Sequence, residues 1–495
     1  MRVTNTMMRN NSMLNMQKNK NVYNKYLNQY NTQKKIQRPS DDPTIAVRAL
    51  KYRTTLAEID QYLVNIKDAT SWMDATETCL NEVNNRLNDM IDYCTQAATG
   101  TYNEEDRADI VAQMRQFSAY IYEQNANADY AGRYLFTGFR TDVPMLYEND
   151  VADTTYTITE QIDINQINKY QYVYGEAVYS DTSTADDYAN AASKFNTTHR
   201  ALLSYDNLDA AKTVSFTYID ENGVKQTVNA VTKKVADDAT HNEHLHPSDD
   251  EVFFVPETGE LVFGDKIYNK VRAGSELEIT YDKTNFEKGD VRPEHYFECK
   301  TVNNVTGETS TYNTAGKQDI NYQINFSQTL TVNTEGCDAI SLSVKRMMDD
   351  ITNLCNDIDI MEANLKSVEK RIADCDENDK TTLANLTELK DQITTEITLQ
   401  KTVLGNALSS GITTCQKAKD QLNVASADHG SRYNRMSMTK TKLQQQQMDT
   451  KDAKSENEDA DLGEAYINFS EADLLYQANL NATSKILGQS LLDFI

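Results

Sequence analysis

The sequence lacks the features of a membrane protein or of a disulfide-bonded scaffold. No run of eighteen apolar residues occurs, so we expect no membrane insertion. The first ten residues, MRVTNTMMRN, contain no apolar core, so we expect no ordinary signal peptide. The seven cysteines are scattered singly and form no CxxC pair, which argues against a disulfide framework or a zinc site.

Proline is scarce, and its placement divides the chain. All six prolines lie outside residues 44–143 and 294–495. Both stretches can therefore be largely helical, because a proline inside a helix would break it. Glycine concentrates between residues 144 and 336. We expect two helical halves separated by a segment of different structure.

The short motifs of common enzymes are also missing. We find no GxGxxG, GxxxxGK[ST], HExxH or GxSxG. His241, His244 and His246 could together hold a metal ion, although a solvated polar loop is the simpler interpretation. The carboxylates at 104–106 and 457–461 suit helix starts better than acid–base pairs. We therefore expect no enzyme, no catalytic residue, no cofactor and no metal site.

Charge is unevenly distributed along the chain. The formal net charge of −26 disfavours a general nucleic-acid binder, which needs a basic face. Residues 1–53 nevertheless carry eleven Lys and Arg against two Asp and Glu, whereas residues 449–495 carry three against ten. A basic first arm and an acidic last arm would attract each other if paired. The alternative is that both are simply solvated faces.

A compact phrase predicts where the first long helix begins. Serine and aspartate are good N-cap residues, and proline suits a first helical turn, where its missing N–H has no partner. The phrase comprises Arg38, Pro39, Ser40, Asp41, Asp42 and Pro43. Residues 457–462 resemble it, and we expect the last helix to begin near Asp459. We therefore expect the two ends of the chain to pair with each other.

Apolar residues at alternating three- and four-residue spacing predict the helices. In residues 44–99 they form one seam with Trp72 packed in the core, and Gly100 and Asn103 separate this helix from an antiparallel second one. Residues 338–375 carry ten apolar residues at the same spacing, and another helix follows from Thr381. We expect a long helical hairpin over 338–405, with helical pattern continuing to about residue 455.

The middle of the chain changes to the two-residue period of strands. Asn222 and Gly223 separate two β-prone runs, which is a strong hairpin signal. Four further strands are expected at 252–255, 261–263, 277–281 and 296–300, and residues 320–326 alternate cleanly. A short helix is expected within 184–205. The fold class is thus α+β, a discontinuous helical coiled-coil rod from both chain ends with an inserted β-rich domain.

The first arm carries too few apolar residues to fold alone. Burial of each gives about 1.5–3 kcal/mol, whereas ordering each backbone residue costs about 1–2 kcal/mol. We expect it to be disordered in the monomer until it is assembled, and to become helical only against a partner. The predicted segments are 1–40 axial, 41–138 helical core, 139–336 β-rich, 337–455 helical core and 456–495 axial helix. The expected assembly interface includes Val3, Met7, Leu14, Phe469, Tyr476, Leu480, Leu487 and Leu491.

Several phrases resemble the flagellin superfamily, and within it the hook-associated proteins of the third type, which form the hook–filament junction. They are MRVTN at the start, KKIQRPSDDP at 34–43, GRYLFTG at 132–138, NEDADLGEA at 457–465 and SLLDF at 490–494. Two positions depart from that pattern, because Gln33 and Thr137 stand where relatives commonly have glycine. The hairpin at 338–405 is also longer than usual.

The resemblance implies a structural adaptor of the bacterial flagellum, secreted unfolded through the type III export apparatus. Implied partners are the first hook-associated protein, flagellin, further copies in a ring or helical layer, and an export chaperone. The terminal helices would pair as a coiled coil, and the β domain would face outward. The alternative is flagellin itself, although its hinge phrase usually differs from RPSDDP.

Overall fold

The structure, a computed structural model of the chain, describes residues 5–98, 104–174, 179–180, 182–185, 194–210, 214–220, 222–238, 242–313, 317–375 and 379–487. The chain forms two compact units. We call Met1–Ala69, Tyr322–Leu330 and Asn434–Ile495 the terminal unit, and Thr70–Asn321 with Thr331–Tyr433 the central unit.

The terminal unit is built from both ends of the chain. It holds helix α1 (Asn5–Thr32), the first part of α2 (Pro43–Ala98), the last part of α7 (Lys380–Glu458) and all of α8 (Leu462–Leu487). α2 begins at the predicted proline, where the Asp42 carboxylate accepts the N–H groups of Thr44 (2.8 Å) and Ile45 (3.2 Å). An aspartate cap of this kind supplies the partners that the first turn of a helix lacks.

Helices of the central unit follow the predicted seams. α3 (Glu104–Ala119) continues as a π-helix over Tyr120–Ala126. The predicted seam residues Met73, Leu80, Leu87 and Cys94 of α2 are buried, and Trp72 lies in the core with 6% of its surface exposed. The predicted terminators Gly100 and Asn103 lie outside the described residues.

The predicted helical hairpin is confirmed, with shifted bounds. After the short helices α4 (Asp265–Ala273) and α5 (Gly336–Ala339), α6 spans Ser343–Ala373 and α7 spans Lys380–Glu458. Val368 packs on Leu386 and Leu389, and Lys390 pairs with Glu369 at 2.9 Å. α7 then runs unbroken for 79 residues, and α8 spans Leu462–Leu487, three residues later than predicted.

Two sheets form the β-rich part of the central unit. The six-stranded sheet has the order β13-β12-β3-β11-β6-β7 and is antiparallel, whereas the five-stranded sheet has the order β4-β5-β10-β9-β8 with one parallel pair. The strands of the two sheets are β3 (Thr154–Ile162), β4 (Asn168–Tyr174), β5 (Lys194–Leu202), β6 (Ser215–Ile219), β7 (Lys225–Asn229), β8 (Val231–Thr232), β9 (Val252–Val255), β10 (Glu260–Phe263), β11 (Ser275–Lys283), β12 (Glu298–Asn303) and β13 (Thr309–Tyr312). Short strands β1 (Asp129–Tyr130) and β2 (Arg133–Tyr134) pair separately in the central unit. Strands β14 (Asn321–Asn325) and β15 (Gln328–Thr331), which lie mostly in the terminal unit, also pair with each other.

The two sheets share one core. Phe216 and Ile279 of the six-stranded sheet pack in the same cluster as Phe254 and Phe263 of the five-stranded sheet. Phe253 of β9 belongs to a second cluster, because alternate side chains point to opposite faces. β9 and β10 are therefore buried on both faces, which explains their continuous apolar sequence.

Several expectations for this region are corrected by the structure. Within the stretch 184–205, where a short helix was predicted, Lys194–Leu202 is strand β5, paired with β4 and β10, whereas residues 186–193 lie outside the described residues. The threonines of β5 suit a strand, since β-branched side chains pack well on a pleated surface. The predicted strand at 296–300 begins two residues later, at Glu298. The hairpin around Asn222 and Gly223 is confirmed, and Gly223 adopts a φ of 77°.

Candidate assembly site

The terminal helices α1 and α8 pack along each other through a ladder of aromatic rings. Tyr23 of α1 lies between Phe469 and Tyr476 of α8, with ring centroids 5.6 and 5.5 Å apart. Tyr30 lies against Tyr466 at 5.9 Å and stacks on Phe469 at 5.9 Å. Since the later residue of α1 meets the earlier residues of α8, the two helices run antiparallel. Offset and tilted ring pairs of this kind contribute about 0.5–1.5 kcal/mol each beyond area burial.

Apolar side chains remain exposed on both of these helices. Met7 and Leu14 of α1 are 62% and 56% exposed, and Leu474 of α8 is 70% exposed. Other members of this set are Met8, Met13, Val22, Tyr466, Ile467, Leu475 and Leu480. We call these residues the axial apolar surface. A surface this rich in large apolar side chains is typical of a protein contact.

A backbone bridge joins the two ends of the chain directly after α1 and directly before α8. Lys34 and Asp459 form an antiparallel β-bridge. The Lys35 N–H donates to the Glu458 carbonyl at 2.7 Å, and the Ala460 N–H donates to the Gln33 carbonyl at 2.9 Å. Asp461 then caps α8 by accepting the Gly463 N–H at 2.7 Å. The phrases at 34–43 and 457–465 therefore meet in space.

A cluster of ion pairs surrounds this bridge. Arg53 donates to both carboxylate oxygens of Glu458, from Nε to Oε1 at 3.0 Å and from Nη2 to Oε2 at 2.9 Å. Lys34 Nζ lies 3.6 Å from Glu458 and also pairs with Asp459. The hydrogen bonds from Arg53 lower the pKa of Glu458, and the hydrogen bond from Lys34 lowers the pKa of Asp459. The predicted attraction between a basic first arm and an acidic last arm is thus observed at this junction.

In the motif at residues 38–43, the two aspartates make the hydrogen bonds that hold the start of α2. The Asp41 carboxylate accepts the N–H groups of Gln37 (3.1 Å) and Arg38 (3.0 Å), and these bonds lower its pKa. Asp42 caps α2, as described above. Gln33 adopts a φ of 58°. A left-handed backbone is unfavourable for a residue with a Cβ, so the structure explains why glycine suits this position.

The predicted interface residues lie in different surroundings in the structure. Phe469 and Tyr476 are half-buried in the aromatic ladder, whereas Met7, Leu14 and Leu480 lie on the axial apolar surface. Val3 and Leu491 lie outside the described residues, and Leu487 ends α8. Tyr23, Tyr30 and Arg53 were missed. The seven-residue separation of Tyr23 and Tyr30 is a helical repeat that could have indicated these two tyrosines.

The helical arm is ordered against its own chain in the structure. The sequence predicts an arm that is disordered in the monomer until assembly, whereas in the structure the arm is helix α1, packed against α8 of the same chain. α1 itself is rich in Asn, Gln and Lys, with exposed side chains along most of its length. Disorder of α1 in the absence of α8 stays a prediction.

In the loop that contains His241, His244 and His246, the two described histidines make separate contacts. His244 Nδ1 lies 2.5 Å from an Asp238 carboxylate oxygen, and His246 Nδ1 lies 2.8 Å from the Tyr172 hydroxyl. His241 lies outside the described residues. None of the described helices has the length and apolar character needed to span a membrane.

Family models of known proteins match the N-terminal and C-terminal parts of the chain. Residues 3–141 match the bacterial flagellin N-terminal helical region, and residues 412–495 match the bacterial flagellin C-terminal helical region. The two ends of the chain are thus similar to the two helical regions of bacterial flagellin, and a β-rich insert lies between them. The expected fold class is confirmed.

The particular resemblance within this class is to hook-associated proteins. The chain is 25% identical over 168 residues to flagellar hook-associated protein 3 of Escherichia coli K12, covering 34% of this chain and 53% of that protein. For flagellar hook-associated protein 3 of Salmonella typhimurium LT2 the identity is 26% over 168 residues, covering 33% and 52%. The match spans about half the length of these curated relatives. The crystal structure of Xanthomonas campestris FlgL aligns with a TM-score of 0.33 at 12% identity, over 82% of this chain and 99% of that one. The resemblance that the sequence phrases carried is confirmed.

Proposed function

We propose that this chain is a structural subunit of the bacterial flagellum that joins the hook to the flagellin filament. The observation that carries the proposal is the terminal unit, in which antiparallel α1 and α8 leave the axial apolar surface exposed. Leaving so many large apolar side chains in water is unfavourable, so the surface suits burial against other subunits. Its partners would be further copies of this chain in a ring or helical layer, the first hook-associated protein on one side and flagellin on the other.

The terminal helices also suit export in an unfolded state. α1 makes its aromatic contacts with α8, which lies at the opposite end of the sequence. Neither helix therefore completes its contacts until the whole chain has left the channel. A type III export apparatus would carry the chain to the extracellular tip of the hook, and an export chaperone would cover α8 before export. Coupling folding to assembly in this way prevents premature polymerisation.

The curated relatives named above are, by name, hook-associated proteins of the flagellum. We propose no catalytic activity, because the proposed function needs only surfaces that bind other subunits. The segments 1–40, 41–138, 139–336, 337–455 and 456–495 would serve as axial, core, outer, core and axial parts of that subunit. The proposed interface residues are the axial apolar surface together with Val3, Leu487 and Leu491.

Immunogold electron microscopy on intact flagella tests the proposal. Antibody raised against residues 140–336 is expected to give one cluster of label where hook meets filament. Label along the whole filament would instead identify a filament subunit, flagellin, and would overturn the junction role. Intact flagella of the same strain treated with serum taken before immunisation serve as the control for non-specific label.

A further inference from the structure

The face of α1 that points away from the aromatic ladder carries a regular stripe of exposed side chains. Leu14, Lys18 and Lys25 lie about 140–180° around the helix from Tyr23, at 3.6 residues per turn. Both lysines are exposed, and Leu14 is 56% exposed. The lysines are seven residues apart, so they lie two turns apart on the same side of the helix. This outward stripe of α1 is therefore apolar towards the start of the helix and basic towards its end.

α8 carries a complementary stripe on its own outward face. Glu464, Glu471 and Leu474 lie about 140–160° around the helix from Phe469. Both glutamates are exposed, and Leu474 is 70% exposed. The glutamates are also seven residues apart. This outward stripe of α8 is therefore acidic towards the start of the helix and apolar further along.

The two stripes have no partner within the described part of their own chain. Lys18 and Lys25 form no ion pair with a described carboxylate, and Glu464 and Glu471 form none with a described cation. Because α1 and α8 pack through the faces that carry the aromatic ladder, their outward stripes point to opposite sides of the helix pair. The stripes of one chain therefore cannot meet, whereas those of two neighbouring copies can.

We propose that the outward stripe of α1 in one subunit packs on the outward stripe of α8 in a second copy of this chain, in antiparallel orientation. That orientation pairs Lys18 with Glu471 and Lys25 with Glu464 at the same time, because both pairs share the seven-residue spacing. Opposite charges that meet across two helices set the partner and the register of a helical contact.

The apolar residues decide between the two possible orientations. In the antiparallel contact, Leu14 lies one turn before Lys18 and meets Leu474, which lies one turn after Glu471. Both leucines then leave water, which is favourable. A parallel contact would also allow two ion pairs, but it would place Leu474 opposite Asn28 and Leu14 before the first residue of α8.

The contact is of a kind that builds a closed layer or a helical one. Each subunit offers one stripe of each type, so the contact joins different surfaces of successive copies. Repetition of such a contact gives a ring when the rotation closes and a helical layer when it does not. The inference rests on the proposed function, because it names the residues by which one subunit of the junction would hold the next.

Sedimentation of the full chain with charge-reversed variants tests the contact. Lys18→Glu alone and Glu471→Lys alone each bring like charges together, so self-association is expected to weaken about fivefold in each variant. In an equal mixture the two variants can alternate, because every contact between them again joins a lysine to a glutamate. Self-association of the mixture is expected to return to within about twofold of that of the natural chain. The same mixing of Lys25→Glu with Glu464→Lys tests the second pair independently.

Lys20→Glu is the matched control. Lys20 is exposed on the same helix but lies about 160° around it from Lys18. Its reversal should leave self-association within about twofold of the natural value, because salt screens charges outside the contact. The proposal would be overturned by equal weakening in Lys20→Glu, by no weakening in Lys18→Glu, by a mixture that stays weak, or by a natural chain that remains monomeric at every soluble concentration. None of these outcomes changes where immunogold label falls, so the junction role is tested separately.

Discussion

Arg53 and Glu458 lie 405 positions apart in the sequence, yet the arginine holds the carboxylate by two parallel hydrogen bonds. The Glu458 side chain is only 3% exposed, whereas that of Arg53 is 58% exposed. The contact therefore fixes an acidic group of the last arm inside the junction, while the cation reaches it from the surface. Bidentate pairs of this kind add geometric specificity as well as energy.

Arg53→Gln is expected to weaken the junction by about 1.5 kcal/mol, because it leaves Glu458 with the more distant Lys34 as its cation. The readout is hydrogen exchange of the peptides that contain the Lys35 and Ala460 amides, which should exchange about tenfold faster. A local readout is needed, since a chain of two units has no single unfolding free energy. Lys225→Gln removes an exposed pair with Glu278 and should leave these amides unchanged. Unchanged exchange in Arg53→Gln would contradict the assigned role.

Acid is expected to loosen the same junction. The pKa values of Glu458 and Asp459 are both lowered from ordinary values of 4.5 and 3.8. Their contribution to stability is therefore complete above about pH 4.5 and is lost as the pH falls through the lowered values. Exchange of the Ala460 amide, corrected for intrinsic rates, should accelerate below pH 4.5 in the natural chain. In Glu458→Gln that acid dependence should be smaller, and an equal dependence would contradict the assignment.

Much of the fold was accessible from sequence because its signals are local. The cap at Asp42, the glycine turn at Gly223 and the apolar spacing of α6 each depend on neighbouring residues. The strand at Lys194–Leu202 was missed because its pairing partners come from elsewhere in the chain. Tyr23 and Arg53 were missed for the same reason, because the sequence of a helix does not show which distant helix it contacts.

Tyr23→Ala is expected to release α1 from α8. The side chain contacts both Phe469 and Tyr476, and its loss should cost about 2 kcal/mol. α1 offers few other buried side chains, so the amides of residues 5–32 should lose protection in the monomer. Met7→Ala changes a side chain that is 62% exposed and should leave monomer protection intact while weakening self-association in sedimentation experiments. Reduced protection in Met7→Ala, or none in the natural chain, would contradict this division of roles.

Gln33→Gly is expected to stabilise the junction, although glycine usually destabilises ordered structure. Gln33 adopts a φ of 58°, and a left-handed backbone costs about 1–2 kcal/mol for a residue with a Cβ. Relief of that cost exceeds the added chain entropy of glycine, about 0.5–1 kcal/mol, so a net gain of about 0.5–1 kcal/mol is expected. The Ala460 amide, which donates to the Gln33 carbonyl, should exchange more slowly. Gln17→Gly, inside α1 and exposed, should instead speed exchange in α1, because glycine costs about 1 kcal/mol in a helix interior. Faster exchange at Ala460 in Gln33→Gly would show that the glutamine backbone is unstrained there.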